Sequence, residues 1–258
     1  MATGRTVFQK YTRVYVAGYD LSGYARDIGP LTVDFDMETA AAMSDGIKGG
    51  LPGHANINVG TLNGFLDTTA TSGLHALASA GTGKKNVMVA LGIRAAPAAG
   101  DPCFVAVVEQ KNYFIPLDLS GAMVNATIEY AGTTAAPTSY LYSKAWGLLL
   151  HTNSAATAAN AGTGVDHPGG AQTTAGGFLM YQVLAGDGGT CTISIDDSAN
   201  NVDFAALSGA TSGEIAATAG VNATVALGSA ATVKQYLRWQ FAKGTAATCT
   251  FVLAFVRG

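Results

Sequence analysis

The sequence predicts a mainly β protein: a β-sandwich or barrel with one short helix, followed by a second β-sandwich. Its strongest apolar runs, VMVALGI at 87–93 and FVLAFV at 251–256, have the length of single strands. Gly, Pro, Asn and Asp separate such runs throughout, as they do between the short strands of sandwiches and jelly rolls. One segment, TSGLHALAS, instead has helical spacing, with Leu74 and Leu77 on one face and Gly81 as its C-cap.

Along the first half, two strands are expected over 12–36, around the turn DLSG at 20–23. Asp and Ser side chains bond to nearby backbone amides and Gly accepts positive φ, so this turn, which returns at 118–121, suits a tight connection. METAAAMSDGIKG then favours a short helix or an ordered loop, and alternation around Ile57 favours a half-buried strand.

A domain boundary is predicted near residue 143, giving domains 1–142 and 143–258, because AGTTAAPTSYLYSK is small and polar. Beyond it, GFLMYQVLA, GTCTISIDDS, ATVALG, TVKQYLRWQFAK and ATCTFVLAFVR read as strands. The short segments DGG (187–189) and KGT (243–245) suit hairpin turns between some of these strands.

Charge is sparse in this chain and excludes several classes of function. Charged residues make up 12%, hydrophobic residues 48%, and mean hydropathy is +0.26, yet no run approaches the ~20 apolar residues of a bilayer span. The N-terminal MATGRTVFQKYTR also lacks the apolar core of a secretory signal. With a net charge of −3 and one basic doublet, Lys84-Lys85, sequence-specific DNA binding is not expected. So few charges instead favour an outer surface hidden against other copies of the chain.

No motif predicts catalysis, a cofactor or a metal. SAGTGKKN fails as a phosphate-binding loop because Ala78 and Lys85 stand where Gly and Ser or Thr are needed, and GxSxG and HExxH are absent. The four histidines are isolated in sequence, which favours structural or solvated roles: His54, His75, His151 and His167. The odd count of three separated cysteines, Cys103, Cys191 and Cys249, favours buried thiols in a reducing compartment. The last two lie in strand-like runs in which they are able to face each other, but ordinary core packing is favoured for all three.

Two groups of acidic residues are candidate sites. Asp34 and Asp36 share one face of a predicted strand, as a carboxylate pair, a cation site or simply a polar face, the last being favoured. The second group, Asp196-Asp197 with Asp203, lacks the Gly and terminal Glu of an EF-hand, so a solvated hairpin is favoured over calcium binding. Tyr236 and Trp239 are able to stack on sugar, but core burial is favoured.

In their order along the chain, the segments of residues 10–142 resemble the tail-tube (major tail) proteins of long-tailed bacteriophages. The resemblance rests on VYVAGYDLSGYARDIGPLTVDFD, then METAAAMSDGIKGGLPGHANINVGTLNGFLD, the helix TSGLHALAS and the paired strands around the second DLSG. The remainder, from YLYSKAWGLLLHTN to LAFVRG, resembles the β-sandwich modules of phage structural proteins, with a diverged second tube domain as the alternative.

The resemblance implies a structural virion protein, assembled in the host cytoplasm into stacked rings that form a tail tube through which DNA passes. Its partners would be copies of itself, in trimeric or hexameric rings, and other tail proteins, with neither membrane nor cofactor. A virion decoration or receptor-binding protein is the alternative.

Two features are expected to serve assembly. The segment 37–53 is expected to be a loop that becomes ordered between subunits, with its small residues Thr39, Ala42, Gly46, Gly49, Gly50 and Gly53. Asp34 and Asp36 are candidates to face the lumen, where carboxylates would repel phosphate, with a solvated outer face as the equal alternative.

Overall fold

β-Strands make up most of the computed structural model, which describes residues 9–40, 49–68, 73–81, 83–92, 95–116, 124–132, 144–167 and 172–258. A 3₁₀ turn, Gln9–Tyr11, precedes the first strand, and the helix α1 is Leu74–Ser79. The strands are β1 (Thr12–Val16), β2 (Tyr19–Asp20), β3 (Ala25–Gly29), β4 (Thr32–Ala40), β5 (Gly49–Asn58), β6 (Thr61–Phe65), β7 (Lys84–Leu91), β8 (Pro102–Phe114), β9 (Asn125–Gly132), β10 (Trp146–Ala156), β11 (Asn160–Ala161), β12 (Val165–Asp166), β13 (Gly177–Gly186), β14 (Thr190–Ser198), β15 (Ala205–Ala216), β16 (Asn222–Ala226), β17 (Tyr236–Lys243) and β18 (Cys249–Arg257).

The predicted mainly β fold with one short helix is confirmed. α1 buries Leu74 and Leu77, and its backbone turns at Gly81, which has φ +90° directly after the C-cap residue Ala80. Residues 87–91 of VMVALGI lie in β7 and FVLAFV lies in β18, where the sequence predicts strands.

Strand β8 organises the largest sheet, in which eleven of the described strands pair. One edge of β8 pairs with β7 over Cys103–Glu109. The other edge is divided, because its first residues, Pro102–Phe104, pair with β10 while Val108–Phe114 pair with β9. A one-residue bulge at Lys111 bends β8 along its pairing with β9. One edge of β8 thus pairs with two different strands along its length.

The strands stack as four layers. Layer I contains β3, β6, β9 and α1, and layer II contains β1, β2, β7 and β8. Layer III contains β10, β13, β16 and β18, and layer IV is a separate five-stranded sheet of β11, β12, β14, β15 and β17. The β8–β10 pairing is the fold line at which the sheet turns from layer II into layer III.

An apolar cluster fills each of the three gaps between layers. Alternate residues of β7 show the arrangement, since Val87 and Val89 face layer I while Met88 and Ala90 face layer III. In β18, Phe251 and Leu253 face layer IV while Val252 and Ala254 face layer II. Layers II and III are therefore buried on both faces, which explains their continuous apolar runs.

A seam of amide side chains joins layers II and III on the side away from the β8–β10 fold. Gln182 of β13 is fully buried, and its Oε1 accepts a hydrogen bond from the Gly18 N–H at 2.8 Å. Its Nε2 donates to the carbonyl oxygens of Asn86 at 3.2 Å and Tyr15 at 3.3 Å. Asn86 also receives a bond from the Thr224 hydroxyl at 3.1 Å. This seam satisfies buried polar groups of both layers.

The turns differ partly from the sequence predictions. In the first DLSG, Asp20 Oδ1 accepts the Ser22 N–H at 2.9 Å, as predicted, while the second copy at 118–121 lies outside the described residues. The prediction of hairpin turns at 187–189 and 243–245 is wrong, because each connects a strand of layer III with a strand of layer IV. The two turns instead bond to each other, with Asp187 accepting the Ala247 N–H at 2.6 Å.

The predicted boundary near residue 143 falls between the strands of layers I and II and those of layers III and IV. The two halves share a sheet through β8 and an apolar cluster between layers II and III. Division into domains 1–142 and 143–258 stays a prediction.

The amide seam predicts a large effect for Gln182→Ala. The variant leaves the Gly18 N–H without its buried acceptor and removes one hydrogen bond each from the Tyr15 and Asn86 carbonyls, although the Asn86 carbonyl keeps the Ala17 N–H. We therefore expect unfolding free energy to fall by roughly 2–4 kcal/mol in urea titration.

Gln235→Ala is the matched control, since it removes only an exposed bond to Asp166 and should cost less than about 1 kcal/mol. Equal stabilities of the two variants would contradict the claim that the hydrogen bonds of Gln182 stabilise the contact between layers II and III.

A second prediction concerns Gly18, in the turn after β1, which lies close to the backbone of Gly220. A Cβ there would lie 2.5 Å from the Gly220 Cα, and φ is +85°. Gly213 also has positive φ (+65°), but a Cβ at that position meets nothing within 4 Å. We expect Gly18→Ala to lower stability by about 1–3 kcal/mol more than Gly213→Ala. Both variants strain a backbone of positive φ, but only the Cβ at position 18 also overlaps neighbouring atoms. Thermal unfolding of both variants measures the difference; equal losses would argue against close contact of the layers.

Candidate assembly site at the β4–β5 hairpin

The strands β4 and β5 form a two-stranded sheet of their own, which we call the hairpin arm. At its base, Val33 and Ile57 pack against the apolar cluster between layers I and II. The Ile57 carbonyl oxygen lies so close to Gly132 at the end of β9 that a Cβ there would approach it to 2.5 Å. The base of the arm is thus anchored to layer I.

Beyond the base, the structure has paired strands where the sequence predicts a loop at 37–53. Residues 37–40 and 49–53 are paired strands, in which Met37 opposes Pro52 and Thr39 opposes Gly50. Backbone pairing needs no large side chains, so Gly and Ala in this segment do not prevent a ladder. A bulge places Gly53 and His54 opposite Asp36.

Of the other small residues in the predicted loop, one lies in a strand and two lie outside the described residues. Gly49 lies in β5, whereas Ala42 and Gly46 lie outside the described residues. A role of this segment between subunits stays a prediction.

The arm exposes side chains on both of its faces. Phe35 is 45% exposed and Met37 is 65% exposed. Both side chains lie on the same face of β4 as Val33, which packs against the apolar cluster between layers I and II. This apolar stripe of Val33, Phe35 and Met37 runs from the core outward into solvent. Sequence reasoning missed it, although the alternation VDFDM carries the signal.

Asp34 and Asp36 occupy the opposite face of β4, and both are exposed. Asp34 opposes Asn56 across the arm. The structure therefore brings together an acidic face and an apolar face on one strand. Whether the two carboxylates face a lumen depends on an assembly, so that placement stays a prediction.

Acidic residues of layer IV have structural partners. Asp196 accepts two bonds from the Arg238 guanidinium, at 2.9 and 3.1 Å, and Asp197 pairs with the Lys234 ammonium at 3.1 Å. The hairpin predicted around Asp196-Asp197 and Asp203 is present as β14 and β15, and Asp203 is exposed. The predicted solvation of Asp196 and Asp197 is wrong, because both are buried and paired with Arg238 and Lys234. Among the described residues, no group of three or more His, Cys, Asp or Glu is placed to hold a metal ion.

His151 is a structural residue of the cluster between layers III and IV. Its ring stacks on Phe251 with centroids 3.9 Å apart and meets Trp239 edge-on at 4.5 Å. Burial lowers the pKa of His151 from 6.5 to about 4, although a hydrogen bond to the Phe251 carbonyl opposes the shift. His75 bonds through Nδ1 to the Tyr113 hydroxyl at 2.8 Å.

The three cysteines are buried free thiols. Cys191 and Cys249 contact each other across the gap between layers III and IV, as their strand positions predict. Burial raises the pKa of Cys249 to about 12 and also raises the pKa of Cys103, which disfavours the nucleophilic thiolate at both positions.

No protein-family model matches the chain, and no curated protein matches it. Solved structures give weak similarities. The sheath/tube terminator of an extracellular contractile injection system (PVC) is 13% identical with a TM-score of 0.41, covering 51% of this chain and 96% of that one. The SPP1 Dit protein, from the adsorption apparatus of phages infecting Gram-positive bacteria, is 9% identical with a TM-score of 0.32, covering 96% and 99%.

A third similarity is to the infectious bursal disease virus, Gx strain, at 12% identity and a TM-score of 0.25, covering 96% of this chain and 56% of that one. Similarities with TM-scores this low do not establish a shared fold. The described residues contain no helix long and apolar enough to cross a membrane.

The low pKa of His151 predicts a pH-dependent stability. The folded state favours the neutral ring, so stability is fully present above about pH 6.5 and falls by roughly 3 kcal/mol as pH drops toward 4. His151→Phe keeps a ring but does not titrate, so we expect this part of the loss to disappear. Urea unfolding of both proteins at several pH values measures it, and the difference between them isolates His151; identical pH profiles would refute this assignment.

Proposed function

We propose that this chain is a structural virion protein that self-assembles into stacked rings and forms the tail tube of a long-tailed phage. The segments of residues 10–142, in their order along the chain, resemble those of tail-tube proteins, and this resemblance supports the proposal. The hairpin arm supports it independently, because it gives the subunit a surface that calls for a partner.

The observation that carries the proposal is the apolar stripe, which leaves the core at Val33 and continues into solvent at Phe35 and Met37. Burying a Phe or Met side chain contributes about 1.5–3 kcal/mol, so covering both would reward association. In addition, β4 pairs with β5 on one edge only, among the described residues, which leaves an edge open to another chain. A second subunit would cover both features.

Partners and location follow from this role. Copies of the chain would form trimeric or hexameric rings, other tail proteins would bind at the ends, and DNA would pass through without specific contacts. A net charge of −3 suits a channel that does not retain DNA. Buried free thiols suit assembly in the host cytoplasm before incorporation into the virion. The proposed role is structural rather than catalytic.

Negative-stain electron microscopy of the purified full chain tests the proposal. A tube protein gives hollow rods or stacked rings as concentration rises. Discrete particles at every concentration would contradict it and favour the decoration or receptor-binding reading instead.

The apolar stripe predicts that Phe35→Ser combined with Met37→Ser prevents assembly without destabilising the subunit. Both side chains are exposed in the free chain, so thermal stability should change by less than about 1 kcal/mol. Sedimentation should show monomers at concentrations where the wild type assembles. The control, Phe114→Ser with Val202→Ser, removes exposed apolar side chains elsewhere and should assemble normally. Assembly of the arm variant at wild-type concentrations would exclude the stripe as the contact.

A further inference from the structure

Cys191 and Cys249, which we call the thiol pair, lie on surfaces that face each other. In β14, Cys191 points into the gap between layers III and IV together with Ile193, because alternate residues of a strand share a face. In β18, Cys249 points into the same gap together with Phe251. Alternation along each strand thus directs both sulfurs into one gap.

Two short turns hold the strands of the thiol pair together. The turns after β13 and after β17 both cross the gap between layers III and IV. The carbonyl oxygen of Thr190, next to Cys191, accepts the N–H groups of Gly244 at 3.0 Å and Ala246 at 3.1 Å. A Cβ at Gly189 would lie 2.4 Å from the Ala246 Cα, so the two turns touch through their backbones. The backbone beside the pair is therefore fixed.

The sulfur atoms of the pair are already in contact. The thiol of Cys249 donates a hydrogen bond to the sulfur of Cys191. Forming a disulfide of about 2.05 Å from this contact requires the side chains to rotate, whereas separated cysteines would require the backbone to move. Cys103, the third cysteine of the chain, lies in the cluster between layers II and III, on the opposite side of layer III.

The hydrogen bond makes the two sulfurs unequal. Burial raises the pKa of Cys191, and the hydrogen bond from Cys249 opposes this shift. Burial raises the pKa of Cys249 to about 12, and its contact with Cys191 adds to this shift. Cys191 is therefore the sulfur that ionises more readily and attacks an oxidant first.

The pair also lies at the end of the gap that is nearest to solvent. Cys191 is the second residue of β14 and Cys249 is the first residue of β18. The turns that end the gap here have exposed residues, Gly188 and Ala247. A small oxidant therefore has only the turns to pass.

We propose that Cys191 and Cys249 form a redox modification site, which a small peroxide converts into a disulfide that joins layers III and IV. With hydrogen peroxide, the Cys191 thiolate attacks one oxygen and the O–O bond breaks, which leaves a sulfenic acid. The departing hydroxide takes up the proton that the thiol released and becomes water. The Cys249 sulfur then attacks the Cys191 sulfur, and its proton leaves with the sulfenic hydroxyl group as a second water. Two thiols are oxidised and the peroxide is reduced.

The disulfide would close a loop that contains β15, β16 and β17. Closing a long loop restricts the unfolded chain, so the oxidised subunit should be more stable than the reduced one. A reducing cytoplasm keeps such a pair as thiols, whereas an oxidising medium favours the disulfide. The bond forms within one subunit, so the site does not depend on assembly into a tube.

Mass spectrometry of the folded full chain tests the proposal. The reduced protein is treated with hydrogen peroxide, then unfolded and alkylated at its remaining thiols. We expect the loss of two hydrogen atoms, alkylation of Cys103 only, and a peptide in which Cys191 is joined to Cys249. Cys103→Ser is the matched control and should form the same disulfide, whereas Cys191→Ser should form none.

Thermal unfolding measures whether the bond joins the layers. Oxidation should raise the midpoint of the wild type by about 5–10 °C, and dithiothreitol should reverse the shift. Cys191→Ser should show no such shift. A reagent that traps sulfenic acids should label Cys191 in Cys249→Ser, because Cys191 reacts first.

The peptide map of the wild type decides the proposal even if a serine variant does not fold. Three alkylated cysteines after oxidation, a disulfide that includes Cys103, or disulfide-linked dimers would each overturn it. A sulfinic acid at Cys191 without a joined peptide would also overturn it. A joined pair with an unchanged midpoint would contradict a bond that fastens layer III to layer IV.

Discussion

The apolar cluster between layers II and III is the constraint on which the rest of the structure depends. It draws residues from β1, β7 and β8 on one side and from β10, β13 and β18 on the other, so each half of the chain completes the other's core. The pairing of β8 with β10 closes one side of this gap, and the amide of Gln182 closes the other. Without this shared cluster, each half would expose the back of its central sheet.

Burial of layers II and III on both faces also accounts for much of the unusual composition. Strands β13 and β18 are buried along most of their length, and they carry a single charged side chain, Arg257 at the end of β18. The low charge content therefore arises partly inside the subunit. On the hairpin arm, by contrast, Phe35 and Met37 are left exposed by all the residues that the structure describes, and this exposure favours a contact with another chain.

Local features of the fold were predictable from sequence because they depend on neighbouring residues. The helix at Leu74, the Asp20 turn and the central strands all follow from short-range patterns. The division of β8 between two partners was not predictable, since it depends on pairing between distant segments. For the same reason, the turns at 187–189 and 243–245 read as hairpins although they join different sheets.

The candidate site was predictable only in part. The shared face of Asp34 and Asp36 follows from strand alternation, whereas the strand character of residues 37–40 and 49–53 was hidden by their small side chains.

Hydrogen exchange on free and assembled protein tests the central claim most directly. Strands β7 and β18 should exchange with similar, high protection in the free subunit, because both line the shared cluster. Amides of β4 and β5 should exchange much faster in the free subunit and become protected on assembly. Different protection of β7 and β18, or equal exchange of the arm in both states, would contradict the account.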